Sequence, residues 1–178
     1  MRLETLTVAL VVVVLAAACT SGGPPPSAAP APAATKAATT KAPAAATPAT
    51  THLYDPNANA RADIASALAA AKGDGKRVLL DFGADWCPDC HSLAAYMEGA
   101  AGRALIEPAF HVVRIDVGMF NHNLDIVHEY FQMQGIPEVV VLDASGAVVG
   151  KSADTVSLAN ARGMTEKQVL DELAAWAK

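Results

Sequence analysis

The chain has 178 residues, enough for one folded domain with accessories. Its formal charge is −5, and from Thr51 onward 10 Lys and Arg stand against 17 Asp and Glu. That balance argues against nucleic acid as a partner, since displacing phosphate counterions needs surplus cations. Three cysteines, Cys19, Cys87 and Cys90, are too few for a large disulfide framework.

Residues 6–18 form an apolar run of 13 residues after Arg2. This suits the hydrophobic region of a signal peptide and is short for a membrane-spanning helix, which needs about 20 apolar residues. The sequence Leu15-Ala16-Ala17-Ala18-Cys19 resembles the lipobox of bacterial lipoproteins. The resemblance implies cleavage after Ala18 and acylation of Cys19. Ordinary secretion with cleavage near Ala18, or a retained anchor helix, are the other readings. Residues 19–51 then read as a tether rich in Ala, Pro and Thr, with too few large apolar side chains to offset the entropy of ordering. As polyproline II its low-complexity part would reach ~95 Å, and as a flexible coil ~30 Å. Its threonines and prolines also permit O-glycosylation.

From His52 to Lys178 the composition is that of a folded domain. Asp55-Pro56 predicts a helix start. Ala60, Ile64, Leu68 and Ala71 continue at helical spacing, with Gly73 as the stop. Residues 77–82 predict a buried strand, 87–97 a helix with Pro88 in its first turn, 111–117 a strand and 124–131 a short helix. Strands over 137–142 and 147–151 flank the turn Asp143-Ala144-Ser145-Gly146. Thr165 and Gln168 form a capping box before a final helix, whose Val169, Leu173 and Trp176 make one apolar stripe. A β-α-β unit followed by a hairpin and a helix gives an α/β domain: a four-stranded mixed sheet with helices on both faces and an extra helix at the N-terminus.

Residues 80–90 (LDFGADWCPDC) and Gly135-Ile136-Pro137-Glu138 before Val139-Val140-Val141-Leu142 resemble the thioredoxin-like family, over about residues 53–178. With Asn123-Leu124-Asp125-Ile126, the pattern is similar to envelope members near the disulfide-interchange reductases. A cysteine at a helix N-terminus is favoured as thiolate by free backbone N–H groups and the helix dipole. Cys87 is therefore read as the nucleophile. Cys90, one turn on, is the resolving thiol. The resemblance implies that Asp81 is a buried acid serving proton transfer for Cys90. It further implies that Trp86 flanks Cys87 on the substrate surface and that Pro137 is cis, with Ile136 offering its backbone to a substrate strand. An Asp between Leu80 and Phe82 points away from both, so burial does not follow from the pattern alone. Pro88 and Asp89, between the cysteines, are read as tuning the redox poise. Gly83 stands where many family members carry a bulky aromatic.

A static disulfide or half a zinc site is the bland reading of the pair. Zinc wants four ligands, no second cysteine pair exists, and His91, His111, His122 and His128 match no zinc spacing. No metal and no bound cofactor are expected; the Cys87–Cys90 disulfide is itself the redox group. The activity implied is thiol–disulfide exchange outside the cytoplasm, biased toward reduction by the like charges of Asp85 and Asp89 near Cys87. Its expected partners are protein thiols and disulfides, a membrane thiol donor, and the membrane through the lipid anchor, with the protein a monomer. The rivals are a disulfide-introducing oxidase and a copper-binding chaperone of the same fold, for which His128 is the extra ligand to consider.

Overall fold

The computed structural model describes residues 52–155 and 157–177. The signal, the anchor at Cys19 and the tether lie outside these residues. The first helix begins later than Asp55-Pro56 suggests. Asp55 instead closes a turn, accepting from Asn57 N at 2.8 Å through its side chain and from Ala58 N at 3.1 Å through its carbonyl. Short acidic side chains satisfy the local backbone in this way and so compete with helix initiation. Asn59 takes the cap, its side chain accepting from Ala62 N, and α1 spans Ala60–Asp74. The stop is Gly75, not Gly73. Gly75 adopts φ 77 and returns its N–H to Ala71 O, a conformation that costs glycine little.

Strand β1 (Arg77–Gly83) leads to α2 (Pro88–Glu98), α3 (Ala100–Ala109) and β2 (Phe110–Asp116). Then come α4 (Leu124–Tyr130), β3 (Glu138–Leu142), β4 (Val148–Lys151), 3-10 turns at Ser152–Asp154 and Leu158–Gly163, and α5 (Glu166–Ala175). Helix α3 has no counterpart in the sequence-based expectation, because Gly99, Gly102 and Pro108 obscure its period. Gly102 is required there: a Cβ would fall 2.0 Å from Tyr96 O, where α3 packs on the end of α2.

The sheet order is β2-β1-β3-β4, with β1 parallel to β2 and the other neighbours antiparallel. This is the mixed four-stranded sheet, flanked by helices, that the sequence predicts. Side chains alternate across β1. Val78, Leu80 and Phe82 pack with Ile64, Ile115, Ile126 and Val127. Leu79 packs on the other face with Leu93, Met97, Val169, Leu173 and Trp176. The capping box of Thr165 and Gln168 is formed, and Trp176 roofs Gly150, where a Cβ would lie 2.3 Å from the indole Nε1. Trp176 is core. No helix of the described residues is long and apolar enough to cross a membrane.

Candidate active site

Cys87 is the N-cap of α2. Its backbone is extended, Pro88 occupies the first turn where no N–H is needed, and Cys90 N donates to Cys87 Sγ at 3.1 Å. The two sulfurs are joined as a disulfide across a Cα–Cα distance of 5.3 Å. Cys87 is 3 % exposed and Cys90 fully buried. The Ile136–Pro137 peptide is cis, and the carbonyl oxygen of Ile136 lies 3.5 Å from Cys87 Sγ. The chain just before β3, 49 residues away in sequence, is thereby brought against the outer sulfur.

Trp86 is 48 % exposed beside the pair. Its indole N–H donates to Gly118 O at 2.9 Å, and its ring meets Phe120 edge-on at 5.8 Å. Phe120 and Met119 are themselves exposed, so the rim next to Cys87 is apolar. Sequence reasoning missed both. Phe120 holds φ 60, uncommon for a bulky residue, but only the fold reveals this.

The two acids flanking Cys87 in sequence both find partners elsewhere in the fold. Asp85 accepts from Tyr54 N at 2.9 Å and pairs with His52 Nδ1 at 2.5 Å. Although burial opposes it, these bonds hold its carboxyl below the ordinary range. Asp89 accepts from Arg162 N at 3.0 Å, with Arg162 Nε 3.6 Å away. His91 directs Nε2 to the Asp85 carbonyl at 2.7 Å. The two acids read as like charges near Cys87 thus each have partners distant in sequence. Pro88 is exposed on the first turn of α2.

Asp81 is fully buried, because helices cover both faces of the sheet and its alternation to the side away from Leu80 and Phe82 still leads inward. By alternation it takes the strand face of Leu79, which packs with Leu93 and Met97 of α2, and Cys90 is the first buried residue of that helix. Tyr54 Oη donates to the Asp81 carboxylate, 3.0 Å from each oxygen. Arg114, paired with Asp81 across β1 and β2, brings Nε to 3.7 Å. Burial pushes Asp81 up to about 6, against the pull of Arg114 and the Tyr54 hydroxyl. Tyr54 and Arg114 were not foreseen. The available signal for Tyr54 was Gly83: the Tyr54 ring fills the space above it, and a Cβ there would lie 2.3 Å from Cζ.

Among the described residues no group of three or more His, Cys, Asp and Glu is placed to hold a metal ion. His128 is exposed on α4.

A cysteine pair of this kind can cycle between dithiol and disulfide, passing two electrons to a second disulfide; the chain is a thiol–disulfide oxidoreductase. Comparison with known proteins agrees. The thioredoxin-like family profile matches residues 59–144. A solved disulphide isomerase from Xylella fastidiosa is 39 % identical, with a TM-score of 0.68, covering 73 % of this chain and 100 % of that one. The thiol:disulfide interchange protein DsbD of Actinobacillus pleuropneumoniae is 28 % identical over 106 residues, which is 58 % of this chain and 18 % of that protein. The chain thus spans under a fifth of that relative. It belongs to the thioredoxin-like family.

Proposed function

We propose that the protein reduces protein disulfides outside the cytoplasm, held to a membrane through acylated Cys19 and recharged by a membrane thiol donor. It acts as a monomer with no bound cofactor. The charge around Cys87 carries this reading. The dipeptide Pro88-Asp89 supplies no cation, Arg162 is directed to Asp89, and His91 is directed to the Asp85 carbonyl. The Cys87 thiolate then has the helix N-terminus and the Cys90 N–H in its support, without an added positive charge. Strong oxidants rely on a far more stabilised thiolate.

In the reaction, the Cys87 thiolate attacks a substrate disulfide and expels one substrate thiolate. Cys90 gives its proton to Asp81 and attacks Cys87 Sγ, expelling the second. Two electrons leave the cysteine pair; the two substrate thiolates become thiols with the proton that Cys87 had already released to solvent and the Cys90 proton that Asp81 passes on. Isomerisation, favoured by the name of the 39 % identical relative, begins with the same attack. It diverges only where a second substrate thiol, rather than Cys90, resolves the mixed disulfide.

Equilibration of the purified protein with thiol buffers tests the direction. A potential near thioredoxin's, roughly −270 mV, is expected, and one near DsbA's, roughly −120 mV, would reverse the assignment. For the anchor, mass spectrometry of the native protein is expected to show a chain starting at Cys19 with added acyl groups. Two chains would anchor stably where one holds only marginally. An unmodified N-terminus elsewhere would remove the anchor from this reading.

A further inference from the structure

Residues 52–54 join the predicted tether to the domain, yet they grip the redox site at two points. His52 and the Tyr54 amide hold Asp85, in the loop before Cys87, while the Tyr54 hydroxyl holds Asp81 on β1. The Tyr54 ring, 1 % exposed, seals the strand at Gly83, the one position of β1 without a side chain to do so. The two carboxylates lie four positions apart in sequence, and one tyrosine contacts both, through backbone and side chain.

We propose that Tyr54 is a positioning residue of the proton relay, its hydroxyl holding the Asp81 carboxylate ready to take the Cys90 proton. This rests on the reading of Asp81 as the proton acceptor. The chemistry suits a phenol. Burial and the Asp81 charge push its own ionisation far upward, so it stays a donor throughout the working range. One O–H centred between two oxygens fixes the carboxylate without neutralising it.

The other charged groups around Asp81 have separate duties. Arg114 of β2 approaches through Nε but spends its terminal nitrogen on Glu98 of α2 at 2.8 Å. Asp85 faces the tyrosine amide rather than Asp81. Removing the hydroxyl therefore leaves Asp81 with one partial partner, the arginine. Tyr54→Phe keeps the ring over Gly83 and deletes only the donor.

The test uses the full chain in two states. In the oxidised protein neither cysteine titrates, so carbon-13 NMR of the Asp81 carboxyl follows that group alone. Tyr54→Phe is expected to raise its midpoint by about one pH unit, since a lost hydrogen bond disfavours the charged form. In the reduced protein, an excess of a chromogenic aromatic disulfide releases one thiol on attack by Cys87 and a second on resolution by Cys90. With the midpoint one unit higher, the resolving phase of Tyr54→Phe is expected to slow about fivefold at pH 6 and to change little at pH 8. An unchanged midpoint together with an unchanged resolving phase overturns the proposal. Asp81→Asn separates the two layers of the argument. If it resolves at the native rate with a native pH profile, the proton-acceptor reading falls and takes this proposal with it. If it slows resolution while Tyr54→Phe has no effect, the role of Tyr54 alone falls.

Discussion

Cys90→Ser is expected to capture its substrates as mixed disulfides that persist on non-reducing gels, while Cys87→Ser loses exchange by a factor on the order of 10³ or more. The difference follows from geometry. Cys87 caps α2 at the outer edge of the site, against the Ile136 carbonyl and beside exposed Trp86, so an incoming disulfide meets this sulfur first. Its thiolate is supported by the Cys90 N–H at 3.1 Å, a donor already oriented by the first turn of the helix. Cys90 is fully enclosed and reaches only Cys87. Resolution from a tethered neighbour far outpaces attack by a dilute external thiol, because the encounter is already made. A serine hydroxyl supplies no comparable nucleophile and no S–S bond, so removing Cys90 stops the cycle halfway. Gel bands that vanish on reduction, with mass spectrometry placing the link at Cys87, are the readout. A Cys90→Ser protein that turns over normally and traps nothing would show that the two sulfurs do not divide the work in this way.

The parts legible in the sequence were those whose cause is local. The strand before Cys87, the cysteine as N-cap, Pro88 at the first position of α2 and the Thr165–Gln168 box each depend on residues within a turn of one another. What failed to show depends on distance. Asp85 and Asp89 sit near Cys87 in sequence and read as repelling charges, yet their partners His52, Tyr54 and Arg162 arrive from 33, 31 and 73 residues away. Asp81 looked equivocal because alternation says which face a side chain takes, not whether a second layer covers that face. Tyr54 was invisible as a site residue although Gly83 marked its place: a missing side chain in a buried strand implies that something else fills the volume. The first helix shows the same limit on a smaller scale. Both Asp55 and Asn59 are good caps, and only the turn that Asp55 closes with Asn57 and Ala58 decides between them.

Asp81→Asn is expected to make the oxidised protein more stable at pH 7 to 8, by roughly 2 kcal/mol, with the gain disappearing in acid. Burial holds Asp81 up at about 6 in the folded protein, with Arg114 and Tyr54 only partly offsetting it. In the unfolded chain the same group titrates near 3.9. Between these values the folded state keeps a proton that the unfolded state has released. Stability therefore falls as the pH rises from about 4 to about 6, and the full penalty is present above that window. A shift of about two units corresponds to ~3 kcal/mol at 1.36 kcal/mol per unit. Asparagine carries no charge to bury, keeps an oxygen for the Tyr54 hydroxyl and has nearly the same volume; its new N–H groups lacking a full set of partners offset about 1 kcal/mol of the gain. In a domain of this size the difference amounts to roughly 8 °C in Tm at pH 8. Urea or thermal unfolding of both oxidised proteins between pH 3.5 and 8 is the measurement. The two curves should cross between about pH 4 and 5 and separate through pH 6, and a difference that stays constant across that range would mean that Asp81 titrates alike in the folded and unfolded chain, with no net cost to burying its charge. The same substitution removes the acceptor for the Cys90 proton, so in this reading the variant that unfolds later also resolves its mixed disulfides more slowly.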